Sequence, residues 1–128
     1  QEPASFGEWF HTELLEARDG WARVRMPIRK YHLQDAGAVQ GGLIMTLADG
    51  AFWRAVLTLL APGQRAATSE LKVNFIRPAR GDYLVAESRI VHKGDRLVVG
   101  DTEVKDDRGN LVAKALGTYI VIEPRGLP

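Results

Sequence analysis

Residues 41–60 limit what this chain can fold into more than any other stretch. Leu43, Ile44, Met45, Leu47, Ala48, Ala51, Phe52, Trp53, Ala55, Val56, Leu57, Leu59 and Leu60 go nearly all the way round a helical projection instead of forming a stripe. A helix apolar on most faces is wrapped by other elements or lies in a bilayer. Gly41 to Ala61 is about the length of a span, yet Asp49 and Arg54 sit near its centre. Each would cost roughly 2.5–3.5 kcal/mol to insert. The stretch is therefore expected to be a helix buried in protein, ended by Pro62-Gly63.

The rest of the chain has to supply the wrapping. Phe6, Trp9 and Phe10 have helical spacing and predict a short N-terminal helix over 5–12, a lid on the core. Glu13 to Ala17 and Trp21 to Ile28 read as strands joined through Asp19-Gly20, a strong hairpin signal. Val24, Met26 and Ile28 alternate with Arg23 and Arg25, and Pro27 suggests an edge position. Beyond the helix, Leu71, Val73 and Phe75 alternate with Glu70, Lys72 and Asn74 until Arg77-Pro78. Tyr83–His92, Arg96–Lys105 and Leu111–Ile122 then follow with short turns between them, which predicts an antiparallel meander. Ala113, Ala115 and Gly117 share one face of the last strand, small enough for a helix backbone to come close. The expected fold is α+β: one domain over residues 1–128, a curved antiparallel sheet wrapped around one long helix.

With 128 residues the chain can bury roughly two-thirds of its unfolded surface without staples. It has no cysteine, which removes disulfides, thiolate metal sites and a cysteine nucleophile. The 17 Lys+Arg and 16 Asp+Glu are scattered, so neither a nucleic acid nor a membrane surface is expected as a partner. No charged-then-apolar leader follows Gln1, and a cytoplasmic location is expected. His11, His32 and His92 lack metal-site spacing; each reads as a surface or loop histidine, and no metal is expected.

Two features carry chemistry. Asp49 is a carboxylate in the middle of an apolar helix, costly unless paired or hydrogen-bonded and for that reason a candidate for function. The bland alternative, a pair with Arg54, suffers from a spacing of about 140° around the helix. Gln40-Gly41-Gly42 stand where the helix begins, and free N–H groups at a helix N-terminus suit an anion or a developing oxyanion. Gly41 and Asp49 are about 12 Å apart along the axis. An attacked carbonyl needs both groups within roughly 3 Å. Two antiparallel helices across a twofold axis would bring Gly41 of one subunit level with Asp49 of the other, so a dimer with shared sites is expected.

At these residues the chain resembles the hotdog-fold acyl-CoA thioesterases of the phenylacetyl-CoA (PaaI-type) and 4-hydroxybenzoyl-CoA group. The resemblance is carried by Gly37-Ala38-Val39-Gln40-Gly41-Gly42, by Leu47-Ala48-Asp49 and by Leu71-Lys72-Val73-Asn74-Phe75-Ile76-Arg77-Pro78-Ala79, and spans about residues 13–122. It implies that Asp49 is the nucleophile or the base that activates water, and that the Gly41 N–H donates to the thioester oxygen. It further implies that Gln34 and Gln40 position the carbonyl, and that Thr68 or Ser69 supports the carboxylate. Gln40 stands where the group usually has histidine. The resemblance also implies a path for CoA past Arg77, Arg80, Lys93, Gly94 and Arg96, contact with Gly42, and a place for Trp53 at the acyl group; a solvated turn cation is the simpler reading of any one of the basic residues, and plain core packing is an equal alternative for Trp53.

The expected activity is thus hydrolysis of an acyl-CoA thioester by a homodimer or a dimer of dimers. No cofactor is expected, since CoA is part of the substrate. A hotdog that binds an acyl-CoA or small apolar carboxylate without turnover is the alternative that Gln40 favours. A dehydratase fits less well, because His32 lies too far ahead of the helix.

Overall fold

The computed structural model describes residues 2–124. A short helix α1 (Phe6–Phe10) leads into strands β1 (Glu13–Arg18) and β2 (Trp21–Pro27), a 3₁₀ turn (Lys30–His32) and the long helix α2 (Gly41–Leu57). Strands β3 (Arg65–Phe75), β4 (Tyr83–Lys93), β5 (Leu97–Asp106) and β6 (Leu111–Ile122) complete one antiparallel sheet of order β1-β2-β4-β5-β6-β3. The predicted meander is present as β4-β5-β6. Asp19 and Gly20 both have positive φ, 51° and 76°, as a tight two-residue hairpin turn requires.

The sheet's inner face is read off by alternation. Ala22, Val24 and Met26 on β2, Leu84 and Ala86 on β4, Val98 and Val104 on β5, and Ala113 and Ala115 on β6 are buried, and α2 lies across them with Ile44, Leu47, Ala48, Ala51, Phe52, Ala55 and Val56. Two fully buried hydroxyls on that face satisfy each other, Thr102 Oγ1 donating to Ser88 Oγ at 2.9 Å. The closest approach of helix to sheet is at Phe52. Gly100 and Gly117 are directly opposed on β5 and β6; a Cβ on Gly100 would run into the Phe52 ring, and one on Gly117 would crowd the Glu70 carbonyl and Leu71 first and the edge of Phe52 after them. The small-residue face expected on β6 therefore does receive the helix, and burying Phe52 there is worth about 1.5–3 kcal/mol.

Four expectations need correction. The helix ends at Leu57, because Thr58 turns its hydroxyl back to Ala55 O (2.7 Å) while accepting the Gly20 N–H (2.7 Å), tying the hairpin tip to the helix end. Nor is α2 wrapped on all sides: Gly42, Trp53, Arg54 and Leu57 are exposed and Asp49 is half-buried, so one apolar face of the helix is open. Pro27 closes β2, which is an interior strand between β1 and β4; its ring ends the ladder without marking an edge. Finally, His32 is fully buried, not a surface residue. It is packed against Trp9, Phe10 and Tyr31 with ring centroids 4.8–6.1 Å away. Among the described residues no helix is long and apolar enough to cross a membrane.

Candidate active site

Asp49 faces the open side of α2 and is held by two hydroxyls from two neighbouring strands. Thr68 Oγ1 lies 3.0 and 3.1 Å from its carboxylate oxygens, and Tyr119 Oη donates to Oδ1 at 2.9 Å. It makes no ion pair among the described residues; the Arg54 guanidinium instead covers the Trp53 ring at 5.0 Å. The pairing of Asp49 with Arg54 is thereby excluded, as the angular spacing indicated.

Thr68 reaches Asp49 because β3 is irregular. Simple alternation from Leu71 and Val73 turns Thr68 outward with Glu70 and Lys72. In the structure Thr68 pairs with Tyr119 and Glu70 with Thr118, so Ser69 is an extra residue in the ladder. This bulge reverses the alternation ahead of it, and Ala66 and Thr68 face the helix together with Leu71 and Val73. Ser69 is exposed and makes no side-chain bond to Asp49.

Tyr119 went unrecognised in the sequence. It shares the inward face of β6 with Ala113, Ala115 and Gly117, and a buried tyrosine hydroxyl there needs a partner, which was the available signal. Its ring meets Phe52 edge-on at 4.7 Å and 73°. Burial, and after it the charge of Asp49, push the Tyr119 hydroxyl far above its ordinary value. It therefore keeps its proton and acts as a donor. The two hydroxyls suit an ionised carboxylate with lone pairs left for a water or an electrophile.

The other predicted residues fall into two groups at opposite ends of the sheet. Gln34, Gly41 and Arg77 line one hollow with Phe75 and Ile76, beside the helix N-terminus. Gln40 is the N-cap residue; its carbonyl takes the N–H groups of Leu43 (3.0 Å) and Ile44 (3.3 Å), and its exposed side chain makes no capping bond. The N–H groups of Gly41 and Gly42 open the helix and have no partner within it. Gln34 is exposed with its side-chain oxygen occupied by the Ala36 N–H at 2.5 Å, so within this chain it is not aimed at Asp49. Arg80 reaches Ala36 O at 3.5 Å. Lys93, Gly94 and Arg96 form the β4–β5 turn, next to the ladder positions of Ile120 and Tyr119 and so at the Asp49 end of the sheet. Gly41 and Asp49 lie on the one uninterrupted helix, which fixes them about 12 Å apart within a chain.

A cavity of about 340 Å³ opens on the far side of Asp49 from β3. Thr46, Gly50 and Trp53 of α2 form its floor, with Phe6 and Phe10 of α1 and Leu14 of β1 around it. Trp53 is thus a cavity wall and not core. The described residues bring no three His, Asp or Glu side chains together as metal ligands.

Comparison with known proteins agrees with this fold. The profile of the thioesterase superfamily matches residues 36–113. A protein of Archaeoglobus fulgidus, an esterase by provisional assignment, is 35% identical over 112 residues, 87% of this chain and 71% of its own length. The acyl-coenzyme A thioesterase PaaI of Escherichia coli is 29% identical over 102 residues, covering 79% of this chain and 71% of that one. Its structure superposes with a TM-score of 0.83, 27% identity and coverage of 91% and 83%. The BH2602 protein of Bacillus halodurans, solved with CoA, is 37% identical with a TM-score of 0.77 over 78% of this chain and 66% of that one. The chain belongs to the thioesterase superfamily, with the hotdog fold, and is a thioester hydrolase.

Proposed function

We propose that the protein hydrolyses acyl-CoA thioesters at two equivalent sites shared between the subunits of a homodimer. The observation that carries this reading is the Asp49 carboxylate held on the open face of α2 by Thr68 and Tyr119. Asp49 attacks the thioester carbonyl or takes the proton of an attacking water. The Gly41 N–H of the partner subunit receives the oxyanion, with the positive end of the α2 dipole behind it. Collapse of the tetrahedral intermediate breaks the C–S bond and expels the CoA thiolate, which needs little help as a leaving group; where Asp49 is the nucleophile, water then cleaves the acyl-Asp49 anhydride to the free acid and the carboxylate.

Two surface features support the dimer. The open face of α2 is apolar, with Met45, Trp53 and Leu57 flanking Asp49. Beside it runs β3, an edge strand of 11 residues, and an unpaired edge that long is a ready template for a second chain. Antiparallel pairing would bring the Gln34, Gly41 and Arg77 hollow of one chain against the Asp49 end of the other. It would also place the Lys93–Arg96 turn near that hollow, where its cations could meet the CoA phosphates. The CoA held by the Bacillus halodurans relative and the PaaI activity favour CoA as the thiol here.

The test is thiol release from a panel of acyl-CoAs by the wild type and by Asp49→Asn. General-base loss should lower kcat by about 10²–10⁴-fold. Equal rates would remove Asp49 from the reaction.

A further inference from the structure

Gly50 follows Asp49 on α2, and the fold gives no reason for it to be glycine. A glycine in a helix interior costs about 1 kcal/mol relative to alanine, which is usually offset by a close contact. The strand glycines Gly100 and Gly117 have such contacts, since a Cβ on Gly100 would collide with Phe52 and one on Gly117 with the Glu70 carbonyl and Leu71. At Gly50 an added Cβ would meet no atom within 4 Å. Its φ is not in the left-handed region either. The space is open because nothing in the chain fills it.

That space is the floor of the cavity of about 340 Å³ between α2, α1 and β1, a volume in the range of small-molecule pockets, which begin near ~300 Å³. Thr46, Gly50 and Trp53 recur at helical spacing along its floor, Phe6 and Phe10 wall it, and Arg54 stands at its rim. Asp49 adjoins Gly50 in the chain, and the helix turns its carboxylate toward β3 and the cavity floor toward α1. A carbonyl placed within reach of Asp49 thus has on the neighbouring helix face a recess that is mainly apolar, with His11, Thr12, Thr46 and Arg54 as its polar lining, for whatever it carries.

We propose that this recess receives the acyl group of the thioester and that Gly50 sets its depth. The substrates are then apolar acyl groups larger than a few carbons, aliphatic or aryl, with the missing Gly50 side chain leaving room for their far end. The proposal rests on the acyl-CoA reading above.

The experiment measures kcat/KM for thiol release from butanoyl-, hexanoyl-, decanoyl- and benzoyl-CoA by wild type, Gly50→Ala and Gly50→Leu, with the thermal midpoint and solution mass of each. Gly50→Ala should fold at least as well as the wild type and lower the ratio of large to small substrates a few-fold. Gly50→Leu should lower that ratio tenfold or more. An unchanged ratio in both variants overturns the proposal, as does an equal loss for every thioester. Dissociation of the Gly50→Leu dimer with the ratio intact also overturns it, because the recess is then filled by the partner subunit. A wild type that turns over none of the panel overturns the acyl-CoA reading itself, and with it the acyl group as occupant.

Discussion

The Tyr119 hydroxyl lies 2.9 Å from Asp49 Oδ1, and its strand partner Thr68 reaches the same oxygen at 3.0 Å. Two residues opposed on β3 and β6 thus converge on one carboxylate of the helix above them. The placement depends on the Gly100–Gly117 pair, which lets Phe52 sink against the sheet and gives the Tyr119 ring an edge to pack on.

Tyr119→Phe should keep the fold and lower kcat/KM about tenfold, which is about 1.4 kcal/mol, near the lower end for a hydrogen bond to a charge. The loss should fall on kcat more than on KM, because the donor holds the carboxylate and not the substrate. Thr68→Val should act in the same direction. Either hydroxyl alone can hold the carboxylate, so the double variant should lose more than the product of the two single effects. Additive losses that fall on KM alone would mean that the hydroxyls only fill space.

Gly41→Pro isolates the proposed oxyanion donor. Position 41 is the first of α2, where proline is favoured, and Gln40 before it has φ −56° and ψ 131°, the extended backbone a following proline requires. The variant should fold while kcat falls about 10²–10³-fold, the usual cost of one lost oxyanion donor. Mixing it with Asp49→Asn should restore activity, since in the mixed dimer one site receives both intact groups. Mixed dimers as inactive as their parents would place the two groups in separate functions.

The residues behind these predictions were unevenly visible in the sequence. Asp49 stood out because a lone acid in an apolar run has few structural explanations, and the glycines at 41 and 42 because they coincide with a helix start. The meander was readable from its turns. Tyr119 was hidden, since inward and outward tyrosines look alike until the facing helix is placed. His32 was hidden for a related reason: the aromatic residues that bury it, Trp9 and Phe10, come from a distant segment. The open face of α2 could not be told from a buried one, because its residues, Met45, Trp53 and Leu57, have the composition of a core.

His32 yields a pH prediction. Its Nδ1 accepts the Arg29 N–H at 3.0 Å, so the neutral ring carries its proton on Nε2. Burial, helped by the charge of Arg29, holds its pKa below the ordinary 6.5. The unfolded chain then binds the proton more readily than the folded one. The stability this gives is fully present above about pH 6.5 and is lost as pH falls through the depressed folded value. His32→Phe should be less stable at pH 7.5 by about 1–3 kcal/mol, because the Arg29 N–H loses its acceptor. Its thermal midpoint should nevertheless fall less between pH 7.5 and 5 than that of the wild type. Parallel midpoint curves would show that His32 does not titrate on unfolding.

The bulge at Ser69 makes the site sensitive to the parity of β3, not only to its residues. Counted from Leu71, Thr68 lies on the helix side whether Ser69 is looped out of the ladder or deleted, because both leave one rung between them. Deleting Ser69 is therefore a shortening that the carboxylate should not notice. Inserting one further residue that enters the ladder would hand Asp49 the wrong neighbour without altering any side chain. An engineer trimming this strand has to count in twos.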